Sequence, residues 1–233
     1  MTQGGQDTLY PFQRLSVDAT VAENHIITLL YQPLTLNSRT VADRNNSNGG
    51  KPVVIDGVSF ASGTPLDITY GFDFWRMSYL YDFAPEPETV LSAGVSLQVR
   101  NASIVFTSGV VTSGDGNKRT VQQNIGPVPI LKTRISHWFN PRFALEFDAD
   151  GFYASSAFFN GSGRPFKGWI WDVALTSKAR MTAQSTAFLS LRTIGGGAEG
   201  TNAYTYVSST TSSKAFTWNN LGTLALTLGV TLE

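Results

Sequence analysis

The chain has 233 residues, of which 17 are basic and 17 acidic, so its formal net charge at pH 7 is zero. This balance argues against a nucleic-acid-binding protein, which would carry a basic surface and a high isoelectric point. Cysteine is absent, which excludes disulfides, zinc–thiolate sites and thiol nucleophiles, and the two histidines are too few for a histidine-rich metal site. We therefore expect neither a nucleic-acid partner nor a cofactor.

Alternation of apolar and polar residues recurs along the chain, between clusters of Gly, Pro, Asn, Asp and Ser, and it predicts strands rather than helices. The first 24 residues precede these patterns and are expected to form a separate N-terminal segment, while residues 25–233 form the strand-rich domain. The ten predicted strands cover residues 25–36, 64–72, 75–83, 89–99, 103–112, 122–137, 143–153, 167–178, 185–194 and 216–232.

The connections between these strands alternate in length. Long polar loops are predicted at 37–63, 154–166 and 195–215, while tight turns are predicted near Asp73 and at Arg100–Ala102. An even number of antiparallel strands with short turns at one end and long loops at the other is typical of outer-membrane barrels. The sequence therefore predicts an all-β fold, a transmembrane antiparallel up-and-down β-barrel of about ten strands formed by residues 25–233, with eight or twelve strands as alternatives. Residues 1–24 are expected to cap or plug its periplasmic mouth.

Each predicted strand has one apolar and one polar face. In a membrane barrel the apolar face contacts lipid and aromatic residues form belts at its edges, whereas in a soluble sandwich the apolar face is the core. Large aromatic residues lie toward the predicted strand ends, at Trp75, Phe83, Tyr153, Trp169, Trp171, Phe216 and Trp218. This pattern favours the membrane barrel, and a soluble jelly roll or lectin-like sandwich that binds sugar is the alternative.

The segment RFALEFDADGFY (residues 142–153) places three carboxylates on one face of a strand. In a barrel of about ten strands, acidic and basic side chains of the polar faces would meet across a narrow interior and fill it. The predicted charge network consists of Asp67, Arg76, Asp82, Arg100, Lys132, Arg134, Glu146, Asp148, Asp150, Asp172, Lys178 and Arg192. A narrow channel that guides small solutes is the alternative interpretation of the same residues.

Catalytic signals are weak. Ser136 and His137 are neighbours, and adjacent residues of a strand point to opposite faces, so they cannot form a dyad. Asp148 and Asp150 could suggest glycosidase chemistry, but nearby basic residues explain the pair more simply. We predict no catalytic residue. Ser136 and His137 are the only candidates for the alternative function, a lipid-modifying hydrolase similar to a lipid A deacylase.

Five segments carry a resemblance to a known family: HIITLLYQPLTL, TPLDITYGFDFWRMSYLYDF, LSAGVSLQVRNASIVF, NIGPVPILKTRISHWFNPRFALEFDADGF and GRPFKGWIWDVALTSKAR. Their order resembles that of uncharacterised bacterial outer-membrane β-barrel proteins of the small, Gram-negative type. The matching positions are Tyr31 and Pro33, Tyr70 to Tyr81, Val128 to Leu131, Asp150 and Gly151, Gly163 and Arg164, and Asp172.

The resemblance covers most of residues 25–195 and implies a fold and a location, but no established activity. We expect an integral protein of the bacterial outer membrane, in a mature form, because the N-terminal segment MTQGGQDTLYPF lacks the pattern of a signal peptide. The expected partners are outer-membrane lipid and lipopolysaccharide, with an unidentified extracellular ligand bound through the long loops. We expect a monomer with a structural or surface-binding role.

Overall fold

The computed structural model describes residues 11–43, 46, 48–55, 57–84, 86, 88–108, 118–155, 166–208 and 211–232. All the regular elements in these residues are strands, and twelve are found: β1 (Leu15–Val21), β2 (His25–Gln32), β3 (Thr35–Val41), β4 (Val53–Ile55), β5 (Val58–Phe60), β6 (Pro65–Asp82), β7 (Thr89–Ser108), β8 (Arg119–Trp138), β9 (Phe143–Ser155), β10 (Phe166–Thr182), β11 (Ser185–Ser208) and β12 (Thr211–Leu232). Within these ranges no helix has the length and apolar character needed to cross a membrane.

One large antiparallel sheet holds ten of these strands, and β4 and β5 form a separate hairpin. The order across the large sheet is β1-β2-β6-β7-β8-β9-β10-β11-β12, and β3 pairs with the first half of β6. Neighbours in the sheet are mostly neighbours in the chain, as expected for hairpins joined by short connections. The prediction of an all-β antiparallel fold is therefore confirmed.

The chain divides into two compact units, which are described separately. The first unit consists of Met1–Val17, Leu29–Arg76 and Gln98–Val128, and the second of Asp18–Thr28, Met77–Leu97 and Pro129–Glu233. A small apolar core in the first unit is formed by Ala42, Phe60 and Leu66, against which Val53, Ile55, Val58 and Phe106 pack. The predicted loop 37–63 therefore contains strands, since the β4–β5 hairpin and the end of β3 lie within it.

The tight turn predicted near Asp73 is absent, because β6 runs without interruption from Pro65 to Asp82. The sequence pattern suggested a turn because apolar residues change from even to odd positions there. In the structure the strand does not turn, and the side chains at even positions stay on the same, buried face from Leu66 to Asp82. What changes along the strand is which face carries the apolar residues. The first half of the strand buries apolar side chains, and the second half mostly exposes them.

Three other predicted boundaries are wrong. The turn at Arg100–Ala102 lies inside β7, where polarity changes in the same way as in β6. The loop 195–215 is largely strand, because β11 continues through the glycine-rich segment to Ser208 and β12 begins at Thr211. Residues 15–21, assigned to the N-terminal segment, form β1 next to β2. Residues 1–10 of the predicted plug and most of the loop 154–166 lie outside the described residues.

Candidate functional site

The exposed face of the sheet carries a band of large apolar side chains. On β6 the band runs from Trp75 through Met77 to Phe83, and on β12 from Leu224 to Leu232. Met77 is 62% exposed and Leu228 is 81% exposed. Further members on other strands are Ile27, Leu29, Leu91, Val95, Leu97, Val99, Leu131, Ile135, Phe143, Leu145, Phe147, Leu175, Leu189 and Leu191. We refer to this set as the apolar band.

The apolar band has a constant width where two neighbouring strands can be compared. Phe83 donates its backbone N–H to the carbonyl of Leu91 (2.8 Å), so one edge of the band is level on β6 and β7. From that edge the band extends from Phe83 back to Trp75 and from Leu91 forward to Val99. A strand rises about 3.3 Å per residue, so each stretch measures roughly 26 Å along the strand.

Beyond Trp75 and Val99 the exposed face becomes polar. On β6 the same face carries the half-buried residues Asp67, Thr69, Gly71 and Asp73, and Thr69 is hydrogen-bonded to Asn37 (2.9 Å). On β7 the exposed Asn101 accepts a hydrogen bond from Gln123 (2.8 Å). The polarity of the sheet therefore changes along single strands. In the stretches beyond Trp75 and Val99 the inner face is apolar and the outer face polar, as in a water-soluble protein. Within the apolar band this arrangement is reversed.

The buried face of the second unit carries an ion-pair network, in which Lys132 and Arg134 of β8 face the carboxylates of β9. Lys132 Nζ lies 2.9 Å from Asp150 Oδ1 and 3.4 Å from Asp148 Oδ1. Arg134 Nε donates to Asp148 Oδ1 at 3.0 Å and lies 3.9 Å from Glu146. These contacts follow from the strand register, which places Lys132 opposite Asp150 and Arg134 opposite Asp148.

Two more predicted cations complete this network. Lys178 of β10 contacts Glu146 Oε2 at 2.5 Å, and Arg192 of β11 contacts Asp172 Oδ1 at 2.5 Å. Asp172 is only 1% exposed, so its charge depends on a nearby cation and on hydrogen bonds. The predicted pairing of the three carboxylates of segment 142–153 with basic residues is therefore what the structure shows.

Asp18 also belongs to the network, and the sequence analysis missed it. Its carboxylate accepts a hydrogen bond from Arg134 Nη1 at 2.7 Å. Asp18 was assigned to the N-terminal segment, although the alternation of LSVDATV, with Leu15, Val17 and Val21 on the opposite face, is a signal that could have identified β1.

Four predicted members lie elsewhere. Asp67 is on the exposed face and pairs with Arg39 at 2.8 Å, because β6 does not turn at Asp73 and its odd positions stay outside. Asp82 is buried at the end of β6, where it accepts the backbone N–H groups of Ala84 and Leu91. Its contacts order the turn after β6.

Arg76 and Arg100 lie on the buried face of the first unit. Arg76 is 1% exposed and donates to the side chain of Gln98, and Arg100 lies over the ring of Phe72. Burial lowers the pKa of the Arg100 guanidinium, an effect opposed by its interaction with Tyr70. The contacts described for these two arginines are therefore with an amide and an aromatic ring.

The residues considered for catalysis lie apart. Ser136 is on the buried face, whereas His137 is exposed, contacts Thr89 Oγ1 at 2.9 Å and packs against Phe139. His25 contacts the Tyr79 hydroxyl at 2.7 Å. Among the described residues no group of His, Cys, Asp and Glu has the arrangement of a metal site.

Aromatic side chains lie near both edges of the apolar band. Tyr31 stacks on Trp75 at one edge, with ring centroids 4.5 Å apart, and Tyr81 packs against Phe83 at the other. Trp171 covers two glycines on the exposed face, since an added Cβ at Gly195 would lie 2.3 Å from its ring. The side chains of Phe216 and Trp218 are outside the described part of the chain, and so are Gly163 and Arg164 as a whole.

No protein-family model matches the chain, and no curated protein or solved structure matches it either. Its function is therefore inferred from the arrangement of its own residues.

Proposed function

We propose that this chain is an integral β-barrel protein of a bacterial outer membrane, with a structural or surface-binding role. The observation that carries the proposal is the reversed polarity of the sheet. Large apolar side chains such as Met77 and Leu228 are exposed, while Asp172 and Arg76 are almost completely buried. Exposed apolar surface on this scale is unfavourable in water but favourable in lipid, where a barrel satisfies every backbone hydrogen bond between strands.

The dimensions of the apolar band support the same proposal. A membrane-spanning strand needs about 9–11 residues, and an outer-membrane barrel carries an apolar belt about 25 Å tall with aromatic girdles at both edges. The stretch from Trp75 to Phe83 contains nine positions and has aromatic residues at both ends. The family resemblance of the sequence, which implies the same location, is consistent with this width.

The ion-pair network supports a packed interior in place of an open pore. Lys132 and Arg134 each contact more than one carboxylate, and these side chains are at most 15% exposed. Charges held in this way occupy the interior, and each depends on its partner, because removal of one partner would leave the other uncompensated. We therefore propose a non-conducting barrel surrounded by outer-membrane lipid, including lipopolysaccharide, and acting as a monomer.

The first compact unit is the proposed binding region. Its polar exposed face and its small apolar core around Phe60 and Leu66 resemble those of a water-soluble domain. A folded unit of this kind can present a surface to the aqueous phase outside the cell, where the loops of membrane barrels bind ligands.

Gel migration of the full-length protein tests the membrane proposal. Protein folded in detergent should change mobility after boiling, and it should aggregate when the detergent is removed. A monodisperse protein in detergent-free buffer would contradict the proposal and favour the soluble sandwich.

Planar-bilayer recording tests the packed interior separately. We expect no large stable conductance from the reconstituted protein. A large stable conductance would replace the packed interior with a channel for small solutes, and would leave the membrane location intact.

A further inference from the structure

Three aromatic rings lie together on the outer face of β9 and β10, in the second unit. Trp169 and Trp171 flank Ile170, which is 7% exposed, so both indoles lie on the opposite face of β10 from that buried side chain. Tyr153 of β9 lies directly opposite Trp169 in the strand register and is 48% exposed. We call Tyr153, Trp169 and Trp171 the aromatic platform.

Glycines on the neighbouring strands allow the Trp171 indole to lie flat on the sheet. Gly195 of β11 is opposite Trp171, and Gly222 of β12 is opposite Gly195. A Cβ at Gly195 would lie 2.3 Å from Cζ2 and 2.7 Å from Cε2 of the indole, and one at Gly222 would lie 4.0 Å from Cζ2. The ring therefore extends from β10 across β11 towards β12. Its Nε1 donates to Thr193 Oγ1 at 3.4 Å, which fixes this orientation.

A pair of opposite charges lies beside the aromatic platform on the same face. Lys167 Nζ of β10 is 2.9 Å from Glu199 Oε1 of β11, and these side chains are 55% and 26% exposed. Lys167 is two residues from Trp169, which is about 7 Å along the strand. An ammonium has three donors and a carboxylate about four acceptor sites, so each group can bond to a ligand while the pair stays intact.

The aromatic platform adjoins the apolar band directly. Leu224 is the end of the band on β12, and Gly222 is the next position on the same face. Because Gly222, Gly195 and Trp171 are in register, the Trp171 ring lies in the first row of residues beyond the band. The outer face therefore changes, along the strands, from aliphatic to aromatic and then to charged.

We propose that the aromatic platform binds the sugar headgroup of a glycolipid whose acyl chains lie against the apolar band. The C–H face of a sugar ring carries a slight positive charge and packs against the negative face of an indole. Its hydroxyls donate to Glu199 and accept from Lys167, and hydrogen bonds to charged groups are the stronger ones. Aromatic residues that only contact a bilayer require neither glycines beneath them nor a charged pair beside them. This inference rests on the proposed membrane location.

Isothermal titration of the detergent-folded full-length protein with rough lipopolysaccharide, in the same detergent, tests the site. We expect saturable binding. Trp169→Ala, Trp171→Ala and Glu199→Gln should each weaken it about tenfold, because each removes one contact to the sugar. Trp171→Phe should weaken it less than Trp171→Ala, since an aromatic face remains. The change of gel mobility on boiling shows that each variant is folded before it is titrated.

A matched variant and two other ligands make the test specific. Trp75→Ala removes an aromatic ring at the edge of the apolar band on β6, where it stacks on Tyr31, and should leave binding unchanged. Phosphatidylglycerol has acyl chains but no sugar, and it should bind at least about tenfold more weakly than lipopolysaccharide. The saccharide released from the same lipopolysaccharide lacks the acyl chains and should also bind at least about tenfold more weakly.

Absence of saturable lipopolysaccharide binding, an equal loss in Trp75→Ala, or equal affinity for phosphatidylglycerol would each overturn the proposal. Equal affinity for the released saccharide would overturn the glycolipid and identify a soluble glycan as the ligand. Flotation with phosphatidylcholine vesicles tests the membrane location separately. A protein that floats with the vesicles without binding lipopolysaccharide contradicts this site alone, whereas a protein that does not float contradicts the membrane location as well.

Discussion

Asp18 and Arg134 are 116 residues apart in the chain, yet Arg134 Nη1 donates a hydrogen bond to the Asp18 carboxylate at 2.7 Å. Three strands, β2, β6 and β7, separate β1 from β8 in the order of the sheet. The pair therefore connects strands that are not neighbours. A contact of this kind fixes the position of β1, which has no buried apolar residue.

Asp148 should contribute more to stability than Asp18. Asp148→Asn leaves Lys132 and Arg134 facing one carboxylate less in a buried site, which should lower the free energy of unfolding by about 3 kcal/mol. Asp18→Asn should lower it by about 1 kcal/mol, because the Asp18 side chain is 42% exposed and solvent weakens its pairing. Urea unfolding of the two variants measures both values, and a larger effect for Asp18 would contradict this ranking.

Asp172 and Arg192 should show strong coupling. Asp172→Asn removes the counter-charge of Arg192, and Arg192→Gln removes that of Asp172, on the buried face of β10 and β11. The double variant removes both charges, so it should be more stable than the sum of the single effects predicts, by about 1–3 kcal/mol. A double-mutant cycle measured by urea unfolding gives this energy, and simple additivity would show that the pair is not coupled.

Gly94 should not tolerate a side chain. An added Cβ would lie 1.9 Å from the carbonyl oxygen of Tyr79 and 2.7 Å from the Cα of Leu80. Because backbone atoms cannot rotate aside, Gly94→Ala should cost about 2 kcal/mol or more. Gly168→Ala is the control, since its Cβ would meet only the Gly197 carbonyl at 3.7 Å. Refolding yield and urea midpoints compare the two, and equal tolerance would rule out the tight pairing of β6 with β7.

A charge in the apolar band should prevent insertion. Leu226→Arg places a guanidinium at a position that is 70% exposed within the band, at a cost of about 2–4 kcal/mol in a bilayer. Thr69→Arg, on the polar stretch of β6, should insert normally. Refolding yield into lipid vesicles measures the difference, and equal yields would be inconsistent with lipid contact at Leu226.

The local alternation of the sequence was sufficient to predict much of the fold and the site. Period-two patterns located most strands, and the pairing of Asp148 and Asp150 with basic residues followed from the parity of β9. Ser136 and His137 were correctly assigned to opposite faces, because adjacent side chains of a strand alternate.

Other features depended on information that local alternation does not contain. In β6 the apolar residues occupy even positions in the first half of the strand and odd positions in the second half. A turn that changes which positions face inward gives the same sequence pattern as a continuous strand whose surroundings change from water to lipid. Asp67 was consequently assigned to the wrong face. The tertiary contact between Asp18 and Arg134 depends on the order of strands across the sheet, which no local pattern specifies.

The most direct test of the account is whether the apolar band contacts lipid. Because the chain has no cysteine, single cysteines can be introduced at Thr69, Asp73, Met77, Tyr79 and Tyr81 of β6 and spin-labelled without background. In reconstituted vesicles, labels at 77, 79 and 81 should be accessible to oxygen and protected from a water-soluble nickel complex, whereas labels at 69 and 73 should be accessible to nickel. Equal nickel accessibility at all five positions would contradict the membrane-spanning account.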